Sequence, residues 1–161
     1  MVYKKPKKNI LKKLLSVLAF FLALSVLSLG VNYWAYVEIQ KRLKVQMHGK
    51  YVPNILIPSF EVRAANFIWE DKVQLLAGDF KVNFDPLSMV SQRGLRIVVT
   101  SKGSQIKFLG SWALQEGIEN ATVDSMVADI VLGRRGLAGI NEIEVLSPSF
   151  QFSLKNADKK S

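Results

Sequence analysis

The sequence predicts a mainly β protein: an N-terminal transmembrane helix followed by an antiparallel, curved β-sheet domain with one or two short helical turns. Three observations predict it. Leu14 to Val31 (LLSVLAFFLALSVLSLGV) is eighteen residues without a charge. Beyond Ser59, short runs alternate apolar and polar residues between turn signals, which is the pattern of half-buried strands. All of the excess positive charge lies ahead of those runs: residues 1–50 hold ten basic residues against one acid, Glu38, and residues 51–161 hold twelve of each.

The apolar run comes first along the chain. At about 1.5 Å per residue it reaches roughly 27 Å, close to the thickness of a bilayer's hydrocarbon core. Leu14, Phe20, Phe21 and Leu27 lie within it, and Tyr33, Trp34 and Tyr36 follow where an aromatic belt meets the headgroups. Six lysines precede it, so the positive-inside rule puts the N-terminus in the cytoplasm and the remainder across the membrane. A cleaved signal peptide is the rival reading, because Ser28 and Gly30 have the spacing of a cleavage site before Val31. Both readings export the rest of the chain.

The segments that follow divide the chain. Residues 1–13 read as a basic cytoplasmic tail, 14–36 as the anchor, and 37–55 as a basic linker or helix extension. Residues 56–155 read as the exported sheet domain and 156–161 as a disordered tail. In the linker, Val37, Ile39 and Leu43 have helical spacing, and His48 reads as a solvated residue. Pro53 and Pro58 mark an extended entry into the domain.

The strands are read from their alternation. Ser59–Trp69 sets Phe60, Val62 and Ala64 against Glu61 and Arg63, with a change of face near Asn66. Val73–Asp85 sets Phe80, Val82 and Phe84 against Lys81, Asn83 and Asp85, with a bend at Gly78. Asp85-Pro86 suits a helix N-cap and first turn, giving a short helix over Pro86–Gln92. Leu95–Ser101 is a strand carrying Leu95, Ile97 and Val99 on one face; Lys102-Gly103 turns the chain, and Gln105–Leu109 follows as another. Ala121–Leu132 alternates throughout. Gly136–Asn141 reads as a second helical turn before Ile143–Leu146, and Ser149–Leu154 closes the sheet with Phe150, Phe152 and Leu154.

These features, in this order, resemble the amino-terminal portion of the AsmA-like and TamB-like envelope proteins. The resemblance rests on the basic tail and anchor, FEVRAANFIWEDKVQLLAGDFKVNFDPLSM, GLRIVV and GLAGINEIEVLSPSFQF, over roughly residues 56–155. It implies a groove-shaped sheet whose apolar concave face carries acyl chains. Members are usually much longer, with many modules in series, and one module does not span two membranes.

Composition narrows the function further. The chain has no cysteine and one histidine, which leaves no thiol chemistry and no Ser/His/Asp set. No cofactor or metal site is indicated. Acids fall on the alternating polar faces, and Gly133-Arg-Arg-Gly136 lacks the ending of a phosphate loop. The folded body carries no net charge, which argues against nucleic acid as a partner. The expectation is a non-catalytic protein of the bacterial inner membrane whose sheet faces membrane lipids or an envelope protein partner. Phe80, Val82, Phe84, Leu95, Ile97, Val99, Phe150, Phe152 and Leu154 would form the exposed apolar face. A closed, ordinary core stands beside the open groove as the other way to bury those residues.

Overall fold

A computed structural model describes residues 7–69, 72–91, 94–109, 120–149 and 151–155. Helix α1 (Lys7–Leu43) leads into seven strands: β1 (Val45–Pro53), β2 (Ser59–Trp69), β3 (Val73–Asp85), β4 (Leu95–Phe108), β5 (Asn120–Gly133), β6 (Gly136–Leu146) and β7 (Gln151–Lys155). A four-residue helix α2 (Ser88–Ser91) bridges β3 and β4. The strands form one antiparallel sheet in chain order, each paired with its neighbour, and the sheet is not closed.

Helix α1 has 37 residues, about 55 Å of rod. It is long and apolar enough to cross a membrane, which is compatible with a single-pass membrane protein. From Ile10 to Leu27 its large apolar side chains stand exposed, including Leu14, Phe20, Phe21 and Leu27. Past Ser28 one side becomes buried: Asn32, Ala35 and Ile39 are sealed, with Val31, Tyr36 and Leu43 beside them. The helix stops at Lys44, whose φ of 54° is left-handed, and β1 begins one residue later.

Helix and sheet meet in one core. Met47, Phe60, Val62, Phe80, Val82, Phe84, Leu95, Ile97 and Leu132 pack with Ala35 and Ile39. Rings line the seam: Tyr36 lies 4.8 Å from Tyr51 and 5.6 Å from Phe60 between centroids. Hydrogen bonds show how far the sheet curls. Gln40 Oε1 accepts from Met47 N in β1, whereas Arg42 Nη1 donates to Leu132 O and Gly133 O at the end of β5. Strands β1 and β5 are four places apart, roughly 19 Å in a flat sheet, and a helix is about 10 Å wide. Two residues of one helix turn reach both strands because the sheet wraps around the helix.

A crease crosses the sheet. Between Arg63↔Asp79 and Ala65↔Ala77, Ala64 lies opposite Gly78; in the same way Gly78 faces Gly103, and Gly103 faces Asp124. At this line the register of β1 and β2 shifts around Gly49. Two successive residues point outward on each bent strand: Arg63 and Ala64, Gly78 and Asp79, Lys102 and Gly103. The apolar alternation resumes one residue later, at Ala65, Ala77 and Ser104. Buried Ser101 and Ser104 join hydroxyls across the gap in β4. Glycine suits the line because Gly49 and Gly103 take φ of 143° and 61°.

Several expectations are corrected. Residues 37–43 do extend the helix, but 45–53 form a strand rather than a linker. The face change in β2 falls at Ala64, which is exposed, and not near Asn66. Lys102-Gly103 bends one continuous strand; it does not separate two. The short helix after Asp85 is present as α2, whereas Gly136–Asn141 is extended, because a two-residue turn at Arg134-Arg135 folds β6 directly onto β5. Glu70-Asp71, Gln92, Phe150 and the tail 156–161 lie outside the described residues.

Candidate functional site: a filled trough and an open margin

The apolar face holds nearly all the residues singled out from sequence, but they have different fates. Phe80, Val82, Phe84, Leu95, Ile97 and Val99 are buried. Strand pairing places them in adjacent rows, Phe84 opposite Ile97 and Val82 opposite Val99. They are buried in one core cluster with Ala35 and Ile39 of α1, which corrects their assignment to an exposed surface. The physical reason is that alternation marks side chains that need cover without saying what covers them. Here the same chain supplies the cover, in the last three turns of its helix.

The face opens toward β7. Val145 pairs with Phe152 and Ile143 with Leu154, so both β7 residues continue the apolar face. Phe152 is 49% exposed and Leu154 46%, and every residue of β7 is exposed. Phe150 lies outside the described residues.

The two margins of the sheet differ in the same sense. On β1, the backbone of Met47 is occupied by the helix: its N–H donates to Gln40 and its carbonyl accepts from the Tyr36 hydroxyl at 3.1 Å. Pro53 ends that strand and has no N–H to offer. Among the described residues, no strand pairs with the outer margin of β7. The β1 edge is therefore blocked at Met47 and Pro53, whereas among the described residues the outer edge of β7 is unpaired, the kind of margin that recruits further strands.

Polar groups pin the frame. Arg96 grips Asp129 with two hydrogen bonds, Nε to Oδ1 at 3.0 Å and Nη2 to Oδ2 at 2.6 Å, and Asn141 Nδ2 donates to Asp129 Oδ1. These bonds hold the guanidinium pKa of Arg96 above its ordinary value. The set ties β4, β5 and β6 on the outer face. Arg42, which reads from sequence as one basic residue in a linker, holds Glu38 at 2.8 Å and the end of β5. The Glu38–Arg42 spacing of four was its only sequence signal. Arg134 and Arg135 share a cleft with Lys41, Arg42 and Lys44. His48 is exposed on β1.

Asn32 is the most constrained polar group on the helix. It is fully buried, and its Nδ2 donates to Asn54 O at 2.6 Å and Ile57 O at 3.3 Å. The β1–β2 loop is thereby fastened to the helix where the exposed apolar segment ends. Sequence reading passed over it; a lone Asn after eighteen uncharged residues was the available sign.

No protein-family model matches the chain, and no curated protein and no solved structure matches it.

Proposed function

We propose that this chain is a single-pass, non-catalytic envelope protein that docks a lipid-transport or envelope-assembly complex through the margin of β7. In this reading its N-terminus lies in the cytoplasm of a bacterial cell and its sheet outside the inner membrane. The carrying observation is the contrast between the margins: α1 occupies β1 at Met47, whereas β7 is exposed and bears half-exposed Phe152 and Leu154 on a margin that no described strand pairs. A strand added there extends both the hydrogen-bond ladder and the apolar face. The AsmA-like resemblance agrees with such an extension, since modules in that family continue one into the next.

The exposed strip over β6 and β7 also supports a second, narrower reading, contact with an acyl chain. One experiment separates the two. A photoreactive residue at Phe152, crosslinked in native membranes, is expected to yield one discrete protein adduct that Leu154→Asp abolishes. A lipid-mass adduct instead supports the acyl-chain reading. No adduct of either kind refutes both.

A further inference from the structure

Two loops stand beside the exposed part of α1. The β1–β2 loop, residues 54–58 (NILIP), and the first six residues of the β3–β4 connection, 86–91 (PLSMVS), contain no charged residue; Arg93 follows at the far end of that connection. Leu56 is 81% exposed and Val90 87%, with Ile55, Ile57 and Leu87 also exposed. They are not scattered surface residues. Leu56, Pro58 and Pro86 line one cleft with Phe21, Leu24 and Val31 of the helix. Phe21 to Val31 is ten residues, about 15 Å, roughly half the hydrocarbon thickness. The loops thus run alongside the half of the apolar run that lies nearest the domain.

Much of their backbone is paired internally. In the first loop, Asn54 Oδ1 accepts from the N–H groups of Leu56 and Ile57, at 2.9 and 3.3 Å. Asn54 N–H donates to Ser59 O, Ser59 N–H donates to Ile57 O, and Pro58 has no N–H. The Asn54 and Ile57 carbonyls take the Asn32 amide, and Pro58 O takes Phe84 N–H. In the second, Asp85 Oδ1 accepts from Leu87 N–H, and Val90 and Ser91 N–H both donate to Leu87 O. Ser88 hydroxyl donates to Asp85 O and accepts from Arg96 N–H. Most of the N–H groups of the two segments are thus paired internally, as hydrocarbon favours for irregular backbone.

We infer that the β1–β2 loop and residues 86–91 of the β3–β4 connection insert into the outer half of the bilayer, flanking the anchor helix, with Leu56, Leu87 and Val90 in the acyl region. The occupant is lipid because the loops' apolar surface is continuous with the exposed surface of the spanning helix. The inference rests on the membrane-anchored reading above and goes beyond it: the domain touches the membrane at three places instead of hanging from one.

The absence of cysteine makes the test direct. Full-length chains carrying Leu56→Cys, Val90→Cys, Lys102→Cys or Leu18→Cys are placed in phosphatidylcholine/phosphatidylglycerol nanodiscs and treated with a membrane-impermeant maleimide. Lys102 and Leu18 are exposed positions on the sheet and within the span. Labelling at 56 and 90 is expected to be at least tenfold slower than at 102. Fluorophores attached there before reconstitution are expected to be quenched by spin-labelled acyl chains. If 56 and 90 react as fast as 102 while 18 is protected, the inference falls and the anchor stands. If 18 also reacts freely, the anchor reading falls, and this inference falls with it.

Discussion

Replacing Ile39 with alanine tests whether the helix belongs to the core. Ile39 is 1% exposed and sits among the buried residues of the sheet face. The change removes three carbons, about 2.4 kcal/mol of transfer free energy at ~0.8 kcal/mol each. The curled sheet closes poorly over the void, so a cavity term brings the loss to about 3–4 kcal/mol. Against a total stability on the order of 5–15 kcal/mol that is a large share, and it corresponds to a midpoint lower by roughly 10 °C. The assay is thermal unfolding of the full chain in detergent, followed by the circular dichroism of the sheet. Leu18→Ala, at an exposed position of the same helix, is the control, with an expected loss within about 0.5 kcal/mol. If Ile39→Ala unfolds no earlier than Leu18→Ala, the helix does not fill the trough and the account of the core is wrong.

Asn32→Asp keeps the side chain's shape but turns a donor into an oxygen facing two carbonyls. Asn54 O loses its 2.6 Å donor, while Ile57 O keeps the Ser59 N–H, so the expected loss is about 1–3 kcal/mol, read by denaturant unfolding. Tyr51→Phe removes a buried hydroxyl that has no hydrogen-bond partner and is expected to leave stability unchanged or raised by up to about 1 kcal/mol. Burial, with Tyr36 and Tyr33 nearby, raises the Tyr51 pKa above 10.0, so its neutral form is the favoured one in the fold. Its contribution is fully present below pH 10 and is lost as pH rises through the raised value, so a phenolate absorbance titration of the folded chain shows one late tyrosine that Tyr51→Phe deletes. Gly94→Ala puts a methyl 2.6 Å from Val131 Cγ1 and 3.1 Å from Leu132 O, and about 1–3 kcal/mol is expected to be lost in the same unfolding assay.

What the sequence disclosed and what it concealed follow from how each element is solvated. Strands β2, β3 and β5 were legible because each buries one face against the core and wets the other. The long apolar helix was legible because eighteen uncharged residues need lipid or a large interior. Strand β1 was hidden because Gly49 and Lys50 interrupt its alternation and Met47 and Tyr51 sit among basic residues. Strand β6 was misread because Leu137 and Ile140 have helical spacing; long-range pairing with β5 overrides that local preference. The trough's occupant was the largest omission. Val31, Ala35, Ile39 and Leu43 recur every four residues, a stripe that faces the sheet. It starts where the apolar run ends and so merges with it. Phe152 and Leu154 stay exposed because β7 lies beyond the helix's reach.

Lys44 has a mechanical consequence. With one residue between α1 and β1, no hinge or stalk separates helix from sheet, and the apolar rod ends as a strut inside the fold. The posture of the protein is thereby decided at assembly. On the proposed reading, a partner at β7 would meet it at a constant height and bearing, and a pull exerted there would pass straight into the helix.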